Sequence, residues 1–320
     1  MQLYADGIEI TETAGGLSWQ NSIDEISTTM TFSIGKDLSS RWTSTYLPKE
    51  GSIVSYFTAN GEMFRGIVLS VDDGDTMLNV YTVADYGFYL KKSKETYQFN
   101  SISANSAIEQ MCSDFGTPID SLCDIGYTIK KIYMDKTIYD IMKDILELAK
   151  AATGSEFNID VTPRGLRIYK IGDIVANPTF RLADNLPTAG SVGYHGPMTH
   201  KTSIEDMYNS VKVITGNDDG FTQRATAQDE QSIAAYGRLQ EVIKIEDDEV
   251  GNASQVAQSK LAELNVIKEE YSIPIIEDVE SYTRAGSVLN DNGATFLIKS
   301  SEHAIDRGTH TVTLNLQRRG

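Results

Sequence analysis

The sequence predicts an α+β fold that is mainly β, and three observations carry that prediction. Two long β-patterned blocks, residues 1–97 and 190–320, flank a helix-bearing insert over residues 98–189. Turn signals recur between alternating apolar runs in both blocks: Asn60-Gly61, Asp73-Gly74, Asn292-Gly293 and Asp306-Arg307-Gly308. Apolar residues at helical spacing are confined to short stretches, two in the insert and one in the second block, at about 252–267.

In the first block, residues 51–58, 63–71 and 77–83 read as three strands. Asn-Gly and Asp-Gly supply the positive φ of type I′ turns, so the three are expected to form a meander. Upstream, Met30, Phe32 and Ile34 alternate with Thr29, Thr31 and Ser33, the pattern of a strand with one buried face.

The insert follows Tyr97-Gln98-Phe99. Ser103 is placed to cap a helix carrying Ala104, Ala107, Ile108, Met111 and Phe115 on one side, and Gly116-Thr117-Pro118 stops it. Thr137 begins a second helix, with Ile138, Ile141, Met142, Ile145, Leu146 and Ala149 at the 3.6 period and Gly154 at its C-terminal cap. Residues 127–133 between them look extended. Residues 156–161 and 166–171, separated by Thr162-Pro163-Arg164-Gly165, make a hairpin.

In the second block, residues 208–215 and 237–245 read as strands separated by a polar loop. A helix follows, capped by Asn252, with Val256, Ala257, Leu261 and Leu264 on one face. Residues 271–276 resume the extended pattern, where Pro274 points to a sheet edge or bulge. Residues 295–300 and 309–316 close the chain as a hairpin. A second β-barrel or sandwich is the economical reading of this block.

Composition narrows the function classes. A 35.3 kDa chain with 40% hydrophobic residues fills roughly two or three ordinary domains. The formal net charge of −17, with a pI near 4.6, repels phosphate backbones, so sequence-specific nucleic-acid binding is not expected. The opening Met-Gln-Leu-Tyr-Ala-Asp lacks the regions of a signal peptide, and no apolar run reaches the ~18–20 residues of a spanning helix. The expectation is a protein made and kept in a cytosol, without membrane insertion. Cys112 and Cys123 are too few for a disulfide framework or a structural zinc, and are expected to be free thiols.

The acidic and histidine clusters have local explanations. Asp72-Asp73-Gly74-Asp75 and Asn217-Asp218-Asp219-Gly220 have the composition of calcium loops but not the spacing or distal Glu of an EF-hand, and turn chemistry accounts for both. His195 and His200 lie in a Gly-Pro loop, while His303 and His310 flank the last hairpin turn. These spacings suit surface or core histidines rather than metal ligands. Asp247-Asp248-Glu249 reads as a solvated loop whose charge suits the N-terminus of the following helix. There is no G-x-S-x-G elbow, no Cys-His nucleophile context and no P-loop. The spacing of the 45 acids singles out no pair for glycoside hydrolysis. No catalytic, cofactor-binding or metal-binding residue is predicted.

Five segments, in this order, resemble a known family: Ala84-Asp-Tyr-Gly-Phe-Tyr-Leu-Lys-Lys-Ser-Lys94, Ala107-Ile-Glu-Gln-Met-Cys-Ser-Asp-Phe-Gly-Thr-Pro-Ile119, Thr137-Ile-Tyr-Asp-Ile-Met-Lys-Asp-Ile145, Tyr236-Gly-Arg-Leu-Gln-Glu-Val242 and Gly308-Thr-His-Thr-Val-Thr-Leu314. The chain resembles the baseplate hub proteins of contractile and related phage tails, particularly the PBSX-type prophage hub group. That group is related in architecture to the late-control D protein and the T-even tail hub, and is also found in contractile R-type bacteriocins.

The resemblance implies two tail-tube-like β-barrel domains in one chain. Three chains would then close a ring of six barrels, joining the six-fold tail tube to the three-fold spike. The implied partners are two further copies of the chain, the tail tube protein, the central spike protein and other baseplate or wedge proteins. The implied location is the host bacterial cytoplasm during assembly and then the tail baseplate of the particle, with no enzymatic activity and no cofactor. Acidic residues facing the channel would keep passing DNA from sticking.

Two other function classes make different demands on the sequence. A tail-tip peptidoglycan hydrolase would need a lytic domain, for which residues beyond the second β block are wanting. A cell-wall glycan-binding module of the LysM type would present exposed aromatics in a groove, for which Trp19, Trp42, Tyr127, Tyr133 and Tyr139 are the candidates.

Overall fold

The structure, a computed structural model, describes residues 1–36, 46–74, 77–176, 179–182, 191–194, 198–217, 220–245, 251–277, 283–291, 294–306 and 308–319. The chain divides into two compact units, Met1–Thr199 with Tyr271–Gly320, and His200–Glu270. The fold is α+β and mainly β.

The first unit is built on one long sheet that runs through strands from both ends of the chain. Part of its order is Lys268–Glu277, Thr309–Arg319, Ala294–Asp306, Ala14–Ser22, Glu25–Gly35, Leu78–Ala84, Gly61–Asp72, Ile53–Thr58 and Gln2–Ala5. The seam between the two halves is the antiparallel pairing of Ala14–Ser22 with Ala294–Asp306, from Leu17 opposite Ile305 to Ser22 opposite Ser300.

Alternation decides which face is buried. In Glu25–Gly35 every second residue from Ile26 to Ile34 is buried, including Met30, Phe32 and Ile34. These pack with Trp19, Tyr56, Tyr81 and Val83 as one core. Phe32 and Tyr81 are directly opposed across their strands and stack at 4.9 Å, a pairing in which two aromatic faces leave water together. On the C-terminal side, Ile273, Ile275, Ile298, Val312, Leu314 and Leu316 form a second core by the same period-two logic.

The meander of Ile53–Thr58, Gly61–Asp72 and Leu78–Ala84 is present, but its turns are not the type I′ pairs expected. Thr58 pairs with Gly61, so the loop residues are Ala59 and Asn60, and of the Asn-Gly dipeptide only Gly61 has positive φ, at 106°. A register shift at Tyr56/Phe57 takes up the difference. Gly74 does not take positive φ either, and Gly74 N–H bonds to Asp72 Oδ1 at 3.2 Å in a local Asx turn. The hairpin at Asn292-Gly293 lies outside the described residues.

The insert contains both expected helices. Ala104–Asp114 is capped by Ser103, whose side chain accepts from the Ser106 N–H, and Ile138–Thr153 by Thr137, which accepts from the Asp140 N–H. Gly154 ends the second helix at φ 73°, a left-handed conformation that costs glycine little. Their apolar faces meet Tyr97, Phe99, Ile129 and Tyr133 in a third core. Tyr97 and Phe99 belong to the strand Lys94–Ser103, which pairs with Thr128–Thr137. The sequence does not flag that strand, because only Tyr97 and Phe99 along it are buried. Phe157–Thr162 and Gly165–Lys170 form the expected hairpin, and Ile119–Leu122 joins it in parallel.

Pro274 is neither at an edge nor at a bulge. Its strand pairs with Thr309–Arg319 in unbroken register, while Ile275 and Ile276 also pair with Tyr194 and Gly193 on the other side.

In the second unit, Ser210–Asn217 runs antiparallel to Gly220–Gln228 and parallel to Gln240–Lys244. The segment read as a polar loop therefore holds the strand Gly220–Gln228 and the helix Glu230–Tyr236. That strand is mostly exposed and carries little hydrophobic alternation, so its pairing is invisible to a pattern search. The helix is started by Asp229, which accepts from the Gln231 and Ser232 N–H groups. The last helix is Ala253–Leu264, and Asn252 makes no side-chain cap bond. Val211, Val213, Ile245, Ala253 and Ala257 form the core of this unit.

Candidate functional site

Four side chains line up on the buried face of the long sheet, one from each of four adjacent strands. Glu277 is directly opposite His310, and Trp19 directly opposite His303; His303 and His310 are diagonal neighbours in the closing hairpin, where His303 opposes Val312 and His310 opposes Ile305. All four are buried. Period-two geometry alone places them on one face.

The hydrogen bonds fix the histidine tautomers. His303 Nε2 lies 3.0 Å from the Thr283 carbonyl oxygen and 2.9 Å from Ser301 Oγ. A carbonyl can only accept, so Nε2 carries the proton and Nδ1 presents a lone pair. His310 Nε2, 3.0 Å from that Nδ1, donates to it. Ser301 Oγ passes its own proton to Asn21 Oδ1 at 3.1 Å, which also accepts the Ala285 N–H at 2.8 Å.

Glu277 completes the row. Its Oε2 lies 4.0 Å from His303 Nδ1 and 3.4 Å from the Thr283 N–H, while Oε1 has no hydrogen-bond partner among the described residues. Burial pushes the Glu277 carboxyl up to about 7, opposed by the Thr283 N–H. Burial also holds His303 well below the ordinary histidine value, with His310 adding to it. Both groups are driven toward their neutral forms, so their approach is not a simple ion pair. The donor atoms of Glu277, His303 and His310 all lie within 4.8 Å of one another. Trp19 covers the histidines, stacked on His303 at 4.7 Å and tilted against His310 at 5.2 Å.

Beside the row, Arg284 joins three segments. Its guanidinium pairs with Asp160, donates to the Val161 carbonyl at 2.6 Å and reaches Thr28 Oγ1 at 3.4 Å. Asp160 also pairs with Arg167 at 2.5 Å. Gly286 packs under this hairpin at φ 86°, where an added Cβ would stand 2.2 Å from Tyr169 Oη.

Residues 17–317 match the sequence profile of one protein family. The chain belongs to the YQBQ-like family. Among YQBQ-like relatives it is 30% identical over 279 residues to the uncharacterized protein YqbQ of Bacillus subtilis (strain 168), and 28% identical over 282 residues to the phage-like element PBSX protein XkdQ of the same organism. Each match spans 85% of this chain and 82% of the relative. The YQBQ-like fold is also that of the 43 kDa tail protein of prophage MuSo2 from Shewanella oneidensis, with a TM-score of 0.71 and 14% identity over 99% of this chain and 97% of that one.

On the outward face of the same seam, the YQBQ-like chain presents polar side chains. One groove of about 360 Å³ is lined by Ser18, Gln20, Thr29, Thr31, Glu302 and Thr311 among others. A neighbouring one of about 510 Å³ includes Gln20, Ser22, Glu25, Lys91 and Ser300. Hydroxyls and amides line both beside apolar and charged groups, among them Ala304 and Glu302 in the first and Leu69, Phe88 and Lys91 in the second.

The residues singled out from sequence are distributed differently. His200 is exposed, 3.7 Å from Glu269, in the second unit. His195, Trp42, Asp75, Asp218, Asp219 and Asp247-Asp248-Glu249 lie outside the described residues. Trp19, Tyr133 and Tyr139 are buried and Tyr127 half-buried, so packing rather than a glycan groove accounts for them. Cys112 is buried and its thiol is pushed up to about 12 by burial; Cys123 is half-buried, and both are free. Sequence reasoning missed Glu277, Asn21 and Thr283. The signal available for Glu277 was its place at the end of an apolar strand, on the same alternation as Ile273 and Ile275.

Proposed function

We propose that the protein is the structural hub of a contractile or related phage-type tail, a homotrimeric ring joining the six-fold tail tube to the three-fold spike. The single observation that carries this reading is the seam, in which strand Ala14–Ser22 pairs with Ala294–Asp306 and makes one sheet from the two ends of the chain. A ring adapter of this kind needs two β modules held side by side in one chain, and residues 1–97 and 190–320 are the proposed modules, with 98–189 as the insert between them.

Closure of a ring would pair strand edges between copies, where backbone hydrogen bonds hold subunits together and remove the edges from solvent. The outward face of the seam, rich in Ser, Thr and Gln and carrying Glu302, suits a lining past which a polyanion slides without sticking. The likeness of fold to a prophage tail protein and the kinship to a PBSX element protein support the same reading. The proposed partners are the tail tube protein, the central spike protein and other baseplate proteins, met in the host cytoplasm. The proposed role is mechanical, with no catalysis.

Multi-angle light scattering of the purified chain, alone and mixed with its tail tube and spike proteins, tests this. A species near three times 35.3 kDa with a central hole in negative-stain images is expected. A compact monomer under every one of those conditions would overturn the ring.

A further inference from the structure

We propose that Glu277, His303 and His310 form a structural site for a divalent transition metal of the zinc class. Two imidazoles and one carboxylate, without thiolates, suit zinc, cobalt or nickel, whereas calcium and magnesium need six or more oxygens. The donors come from three neighbouring strands and share one buried face, so little ordering is needed to bring them together.

The distances fit. Donors bound tetrahedrally at about 2.0–2.1 Å stand roughly 3.3–3.4 Å apart. Here His303 Nδ1 is 3.0 Å from His310 Nε2 and 4.0 Å from Glu277 Oε2, and all three donors lie within 4.8 Å of one another, so side-chain adjustments of about an ångström would complete the set. A water would complete a tetrahedral set as the fourth donor.

The surroundings are those of a metal-bound imidazole. His303 gives its Nε2 proton to the Thr283 carbonyl and Ser301 Oγ, which turns the Nδ1 lone pair toward Glu277 and His310. Such an outer hydrogen bond orients the ring and raises its donor strength. Metal binding displaces the proton between the two rings, and His310 takes its other tautomer. Glu277 Oε1, buried and without a hydrogen-bond partner among the described residues, is the independent sign that the carboxylate lacks a counterpart. Arg284, a nearby cation, is already paired with Asp160. The metal would tie the end of strand Lys268–Glu277 to the closing hairpin beneath Trp19.

The test uses the full chain, purified without a histidine tag and without chelator. Elemental analysis should find ~1 zinc per chain. After chelation, added Co²⁺ should give the intense visible bands of a tetrahedral site, and Zn²⁺ should raise the unfolding temperature. Glu277→Gln, nearly isosteric and safe for folding, should weaken Co²⁺ binding at least about ten-fold, and His310→Gln further. His200→Ala should leave it unchanged. A chain that carries no metal, gives no Co²⁺ bands and shows no shift with Zn²⁺ overturns the site, as does binding that survives both Glu277→Gln and His310→Gln.

Discussion

The indole of Trp19 lies flat on the imidazole of His303, with ring centroids 4.7 Å apart and planes 7° from parallel. The two residues face each other across the strand pair that joins the halves of the long sheet. This stack makes the seam a packed joint as well as a hydrogen-bonded one, since Tyr56 and His310 close on the same indole at 5.4 and 5.2 Å.

Trp19→Ala should therefore destabilise the chain by about 3–5 kcal/mol, the cost of deleting a large buried aromatic that its neighbours cannot replace. Trp19→Phe keeps a ring on His303 and should cost clearly less. Urea unfolding of both variants measures this. A loss under about 1 kcal/mol for the alanine variant would show that the seam opens without disturbing the rest.

Arg284 is mostly buried, at 12% side-chain exposure, against Asp160 at 8%. Replacing it with Met removes the bridge from the insert hairpin to Thr28 and leaves Asp160 with Arg167 alone. A loss of about 3 kcal/mol is expected, because the charge left behind is poorly solvated. In a double-mutant cycle with Asp160→Asn, the paired loss should fall short of the sum of the single losses. Strict additivity would mean that the two residues do not couple.

Asp85 supplies a pH dependence. Its carboxylate accepts the Thr28 and Gly87 N–H groups at 2.9 Å each, yet burial pushes it up to about 7 from an ordinary 3.8, with those bonds and Arg284 opposing. From about pH 4 to 7 the native chain holds a proton that the unfolded chain has released. Stability from this group thus falls as pH rises through that window and levels off above it, by up to roughly 4 kcal/mol. Asp85→Asn removes the slope, and at the acid end, where Asp85 is itself neutral, it lowers stability by placing an amide NH₂ against a backbone donor. Urea midpoints from about pH 5 to 8 give the difference between the two chains. A flat difference would show that Asp85 is already ionised throughout.

Much of the fold was legible because period and caps were local. Ser103 and Thr137 start the helices that follow them, and Met30, Phe32 and Ile34 are buried as their alternation requires. Gly220–Gln228 was not legible, since a strand with little buried face carries little pattern. Asn60-Gly61 marked a turn but not its register, which the shift at Tyr56/Phe57 decides. The histidines could be read as core residues, yet nothing local joins His303 to Trp19 or Glu277 to His310. Those neighbours are set by sheet order, which depends on pairings between distant segments.

The seam also constrains the order of events at the ribosome. Asn21 and Ser301, which share a hydrogen bond, are 280 positions apart. At a synthesis rate of about 5–20 residues per second, the strand Ala14–Ser22 waits on the order of tens of seconds for its neighbour. During that interval the N-terminal meander has a bare edge, with Trp19 lacking the histidines that later cover it. That edge stays bare until residues 294–306 have been made, so crowded nascent copies would meet one another along it.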